Sequence, residues 1–130
     1  MRLFTGCLLA VTLGLFLYPS TTLAFDIEID VAPNVLNIQS ESTVVTVHTD
    51  IAYSSVVGAN VYLNEVEINY SKSDAQGNFV AKFLSDEIKD LNLIIGDYNT
   101  LVLTGHTTDN EAFIGEQDIF VIDNVPQGKD

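Results

Sequence analysis

The chain has 130 residues, with 18 acidic side chains against 5 basic ones and a formal net charge of −13. That balance argues against nucleic acid as a partner, because phosphate backbones are gathered by clustered Lys and Arg. The length suits one domain, and a single Cys with no Trp leaves no internal disulfide and no tryptophan platform for sugars.

Residues 1–24 read as an export signal. Arg2 supplies a positive start, Leu8 to Leu17 form a short apolar run, Pro19 and Ser20 break it, and Thr22-Leu23-Ala24 offers small residues at the positions a signal peptidase reads. Cleavage is expected after Ala24. The apolar run falls short of the roughly 20 residues that span a bilayer, so no membrane span is expected after cleavage. Cys7 precedes the apolar run, whereas a lipoprotein cysteine follows it. All 18 acids lie beyond residue 24 while Arg2 is removed, so the remaining 106 residues carry 4 minus 18, or −14. The only cysteine leaves too, and the chain enters a secreted or periplasmic setting without a disulfide.

From Phe25 to Val31 the residues alternate, with Phe25, Ile27, Ile29 and Val31 on one face and Asp26, Glu28 and Asp30 on the other. This is a first strand. Pro33 and Asn34 interrupt it, since proline has no N–H for a ladder, and Val35 to Ile38 resume an extended path. After a bend at Ser40 to Ser42, Val45, Val47, Thr49 and Ile51 mark the inner face of a central strand. Ala52 to Ser55 cross to a hairpin in which Val57, Ala59, Val61 and Leu63 lead into the Asn64-Glu65 turn. A two-residue turn there pairs Leu63 with Val66, Val61 with Ile68 and Ala59 with Tyr70, all on one face.

Ser71 to Asn78 read as a loop rich in turn residues. Phe79, Ala81 and Phe83 then face inward along the next strand. Ser85 to Leu91 predict one or two helical turns, with Ser85 as cap, two acids in the first turn, and Ile88 and Leu91 three apart. Gly96-Asp97 turns the chain into a strand from Thr100 to Gly105, Asp109-Asn110 forms the last hairpin turn, and Asp118 to Ile122 form the terminal strand. About seven short strands with one short helix point to an all-β, immunoglobulin-like β-sandwich over residues 25–123, followed by a tail over 124–130.

Particular segments resemble the Ig-like modules of secreted and cell-surface proteins of bacteria and archaea. They are Ile29-Asp30-Val31, Pro33 and Asn34-Val35-Leu36-Asn37-Ile38-Gln39-Ser40; Val61-Tyr62-Leu63-Asn64-Glu65-Val66; and Asn99 through Val121. The resemblance spans nearly all of the exported chain and implies a non-catalytic module. Two departures stand out. Glu65 replaces a glycine that a type I′ turn favours, so the turn is expected to change type. The Asp74-Ala75-Gln76-Gly77-Asn78-Phe79 loop keeps one carboxylate of the two that some relatives place in a calcium-like loop.

The function expected is a secreted, non-enzymatic module that contacts a protein or cell-envelope component, with self-association as a further outcome. Val44, Tyr62, Val80, Val102 and Phe120 are apolar side chains at outward positions and form the candidate interaction face; Leu84 shares that alternation. No cofactor is expected. Calcium is the alternative, as a structural or adhesive ligand of Asp97, Asp109, Glu111 and Asp118, which crowd the last hairpin in sequence. His48 and His106 are expected on different sheets, which argues against a shared zinc. No nucleophile or metalloprotease spacing occurs.

Overall fold

In a computed structural model, residues 23–125 are described; the expected export segment up to residue 22 and the tail from residue 126 lie outside the described residues. The strands are β1 (Phe25–Asp26), β2 (Ile29–Ala32), β3 (Val35–Asn37), β4 (Val44–Ala52), β5 (Tyr62–Leu63), β6 (Val66–Glu67), β7 (Tyr70–Ser73), β8 (Asn78–Leu84), β9 (Asp97–His106) and β10 (Ala112–Ile122). The helix α1 (Ser85–Lys89) joins β8 to the segment before β9. Sheet A runs β1-β10-β9-β5-β6, with β3 also on β10, and sheet B runs β2-β4-β8-β7. The protein is therefore mostly β, in two sheets.

Alternation decides what lies between them. Val31, Val45, Val47, Phe79, Ala81 and Phe83 come from sheet B and Leu36, Leu63, Leu101, Leu103, Phe113, Ile119 and Val121 from sheet A, and all join one buried cluster. Thr49 is one of three buried polar residues among the described residues, with Ser85 and Thr107. Thr49 donates its hydroxyl to the Phe79 carbonyl at 2.6 Å, where the β4–β8 register shifts between His48 and Ala52. The bulge thus keeps a hydrogen bond for a carbonyl that the shifted ladder no longer pairs.

The first strand splits into three. β1 lies parallel on β10 beside Phe113 and Ile114, β2 pairs with β4 in the other sheet, and β3 returns to β10 beside Phe120 to Ile122. The Ala32–Pro33 peptide between β2 and β3 is cis. Gly115 makes the crossing feasible: a Cβ there would stand 2.6 Å from Ile29 Cγ2 and 3.1 Å from the Ile27 carbonyl.

The Asn64-Glu65 hairpin forms with Leu63 opposite Val66, and the Ile68 N–H reaches the Val61 carbonyl at 3.0 Å. Asn64 takes φ 54, and Glu65 is not among the left-handed residues, so the turn is not type I′. Two expectations fail beyond that point. Residues Gly58–Asn60 form a 3-10 turn rather than strand, and Tyr70 does not meet Ala59. Instead the Asn69 N–H bonds the Lys82 carbonyl at 2.8 Å, and Tyr70 pairs with Lys82, carrying the chain onto sheet B. Ser71 to Ser73, expected as loop, are therefore strand.

Ser85 does not cap α1. It is itself the first helical residue, fully buried, with its N–H on the Thr43 carbonyl at 3.0 Å, and Leu84 holds the cap position without a side-chain bond. Ile88 is fully buried and ties the helix to the core, while Leu91 packs against the same cluster.

Candidate functional site

Pairing in sheet A determines which outward side chains share a row. Phe120 stands beside Val35 on one side and Tyr98 on the other. Further along come Asp118 with Thr100, Glu116 with Val102, and Ile114 with Thr104 and Tyr62. The first row is apolar and largely open to solvent: Tyr98 is 64% exposed and Val35 49%. Its rings interlock, with the Tyr98 and Phe120 centroids 5.0 Å apart at 72°. Such an edge-to-face pair fixes both side chains before anything binds.

The loop leading into β9 carries two exposed apolar residues of its own, Ile94 and Ile95, and Asn99 holds that loop in place. The Asn99 side chain accepts the Ile94 N–H at 2.7 Å and donates to the carbonyls of Ile94 at 3.0 Å and Asp97 at 3.1 Å. Gly96, at φ 83, donates its N–H to the Val121 carbonyl at 2.7 Å. Exposure here is consequently built into the backbone rather than left to a loose segment. Below the apolar row, Asp118 accepts the Thr100 hydroxyl at 2.6 Å and keeps an exposed carboxylate on this face.

Of the five residues expected to share one interaction face, the structure brings together fewer. Phe120, Val102 and Tyr62 lie outward on sheet A, on three different rows. Val44 belongs to β4 in sheet B, so it faces the opposite side of the protein. Val80 must be withdrawn: it has no exposed surface, although it stays outside the core cluster, because it sits between His48 of β4 and Lys72 of β7 on the outer side of sheet B. Outward alternation does not guarantee exposure on an inner strand whose neighbours carry long side chains. Tyr98 and Val35, which flank Phe120, were missed. Counting both arms back from the Asp109-Asn110 turn places Tyr98 near Phe120, and that was the available signal.

The acids grouped for calcium do not meet. Asp109 and Glu111 occupy the β9–β10 turn, which Thr107 organises by accepting their N–H groups at 3.2 and 3.1 Å, with Asn110 at φ 65. Asp118 lies seven residues beyond Glu111 along β10, roughly 24 Å away at about 3.4 Å per residue. Asp97 pairs with Val121, three positions from Asp118 and so on the other face. Calcium needs oxygens about 2.3–2.6 Å from the ion, which these four cannot share. Among the described residues no three His, Cys, Asp or Glu side chains are placed to hold a metal ion.

Asp74 has a different task. Its carboxylate accepts the N–H groups of Gln76 at 2.8 Å and Asn78 at 2.9 Å, closing the β7–β8 loop with Gly77 at φ 85. Replacing it should loosen the hairpin whatever ion is present. Asp74→Ala is expected to lower stability by about 1 kcal/mol, with equal melting shifts in calcium and in chelator; a shift seen only with calcium would return a metal to this loop.

His48 and His106 are exposed on sheets B and A respectively. Near His106, Tyr62, Thr104, Ala112 and Ile114 line a surface depression of about 350 Å³. Among the described residues no helix is long and apolar enough to cross a membrane. No family model matches the sequence, and no curated protein is significantly similar to it.

Proposed function

We propose that the chain is exported, loses its first 24 residues, and acts in the periplasm or outside the cell as a non-catalytic Ig-like module. Its partner is a protein or cell-envelope component met by the outer face of sheet A. Support for the topology comes from strand order. β2-β4-β8-β7 opposite β10-β9-β5 follows the arrangement in which Ig domains set strands A, B, E and D against G, F and C. The observation that carries the functional reading is the Tyr98–Phe120–Val35 row, where three apolar side chains adjoin on a fixed backbone. Aromatic residues at a surface of this kind are what protein contacts use as anchors.

In-cell photo-crosslinking tests it. A benzoylphenylalanine at position 98 should yield a discrete adduct on irradiation, and the same probe at Lys72, on the edge strand of sheet B, should not. No adduct at position 98, or equal adducts at both, would remove the reading.

A further inference from the structure

The face just described also specifies the chemistry of what covers it. Resting on that reading, we propose that the occupant is an extended segment of another protein carrying the pattern apolar-x-basic-x-basic-x-apolar, rather than a second copy of this chain.

Outward residues of β10 succeed one another as Phe120, Asp118, Glu116 and Ile114. Alternate residues on a strand lie roughly 7 Å apart, twice the rise of about 3.4 Å. An extended partner presents its own alternate side chains at the same interval, so it can match these four positions in register. Apolar ends meet Phe120 and Ile114, and two cations meet Asp118 and Glu116.

Charge placement decides the sign. Among the described residues the lysines are Lys72, Lys82 and Lys89, on β7, β8 and α1, so none is on sheet A. Lys82 already donates to the Thr46 hydroxyl at 2.9 Å and Lys89 to the Ser40 carbonyl at 2.7 Å. Sheet A instead adds exposed Glu67 on its β6 edge to Asp118 and Glu116. A second copy docking the same face would set acids against acids, which specific interfaces avoid. Docking through sheet B would bring Asp30 and Asp50 with the lysines. A basic segment meets neither obstacle.

The probes are two synthetic heptapeptides of equal composition, one ordered Phe-Ser-Lys-Ser-Lys-Ser-Leu and one with the lysines moved next to each other. A third carries Glu for Lys. Each is titrated into the isotopically labelled exported chain and followed by amide NMR. The ordered peptide should shift the amides of Val35, Tyr98, Asp118 and Phe120 and bind roughly tenfold tighter than the rearranged one, weakening several-fold as salt rises. The Glu peptide should not bind. Tyr98→Ser and Asp118→Asn, at exposed positions, should each reduce ordered-peptide binding, on the order of tenfold for the aromatic, while the dispersed amide spectrum of the folded protein is retained.

Equal binding of ordered and rearranged peptides, or shifts centred on sheet B, would overturn the proposal. So would concentration-dependent self-association that shifts the sheet A amides. A position-98 adduct to a protein without a basic extended segment would defeat this inference and leave the proposed function standing. Ordered-peptide binding without any position-98 adduct would remove the proposed function and, with it, the occupant inferred here.

Discussion

Truncating Phe113 to Ala should destabilise the protein by about 3–5 kcal/mol, the usual cost of removing a fully packed aromatic ring. The more telling result lies across the strand. Phe113 pairs with Gly105, and a Cβ on Gly105 would stand 2.4 Å from Phe113 Cζ and about 3 Å from both neighbouring ring carbons. The tip of the ring reaches over the glycine, filling the space a side chain would take. Gly105→Ala alone must therefore push the ring out of a close-packed core, at a cost of about 1–3 kcal/mol. With Phe113 already truncated, the same methyl has nothing to strike and supplies a side chain where glycine weakens a strand. The pair should be strongly non-additive, Gly105→Ala turning neutral or mildly stabilising in the Phe113→Ala background. Chemical denaturation of the four proteins reads this directly. Additive losses would mean that the glycine serves something other than the ring.

Ile88→Ala should cost about 2–4 kcal/mol, and its effects should be local as well as global. α1 has five residues, too few to persist by itself, and no side-chain cap supports its start. Its hold on the protein is Ile88, which is fully buried, helped by Ser85 pressed against Ser42 with their oxygens 3.4 Å apart. Without the isoleucine the helix keeps its acids at one end, a surface effect worth about a few tenths of a kcal/mol, and at the other the single Lys89 bond to the Ser40 carbonyl. Hydrogen exchange should consequently quicken through residues 85–91 beyond what the global loss explains. Uniform acceleration would show that the connection folds with the sheets as one unit.

What the sequence made legible were the elements governed by period two. Val45 and Val47, Phe79 and Phe83, and Leu101 and Leu103 fall at period-two positions along their strands, and each is buried as alternation requires. The hairpin at Asn64 was legible for the same reason. Less legible was where a strand changes partner. Tyr70 fits the face of the Leu63–Val66 hairpin as well as it fits β8, and only the three-dimensional choice made at Asn69, whose N–H takes the Lys82 carbonyl, separates them. Proximity in sequence also misled for the acids, because an extended chain moves residues apart by about 3.4 Å each. Asp109 and Asp118 share a hairpin and lie far apart on it. The exposed Tyr98 escaped because the strand was expected to begin at Thr100, whereas β9 begins at Asp97.

The split first strand has a consequence for when the protein can become itself. β1 and β3 both lie on β10, the last strand among the described residues, and between them β2 joins the other sheet. Contacts that span nearly the whole chain are slow to form, because the loop must close before they repay it. A ribosome still synthesising β9 holds a chain whose opening residues have no strand to lie on. The complete native structure therefore waits for residues 112–122. For a protein proposed to be exported, the delay amounts to a timer written into its topology.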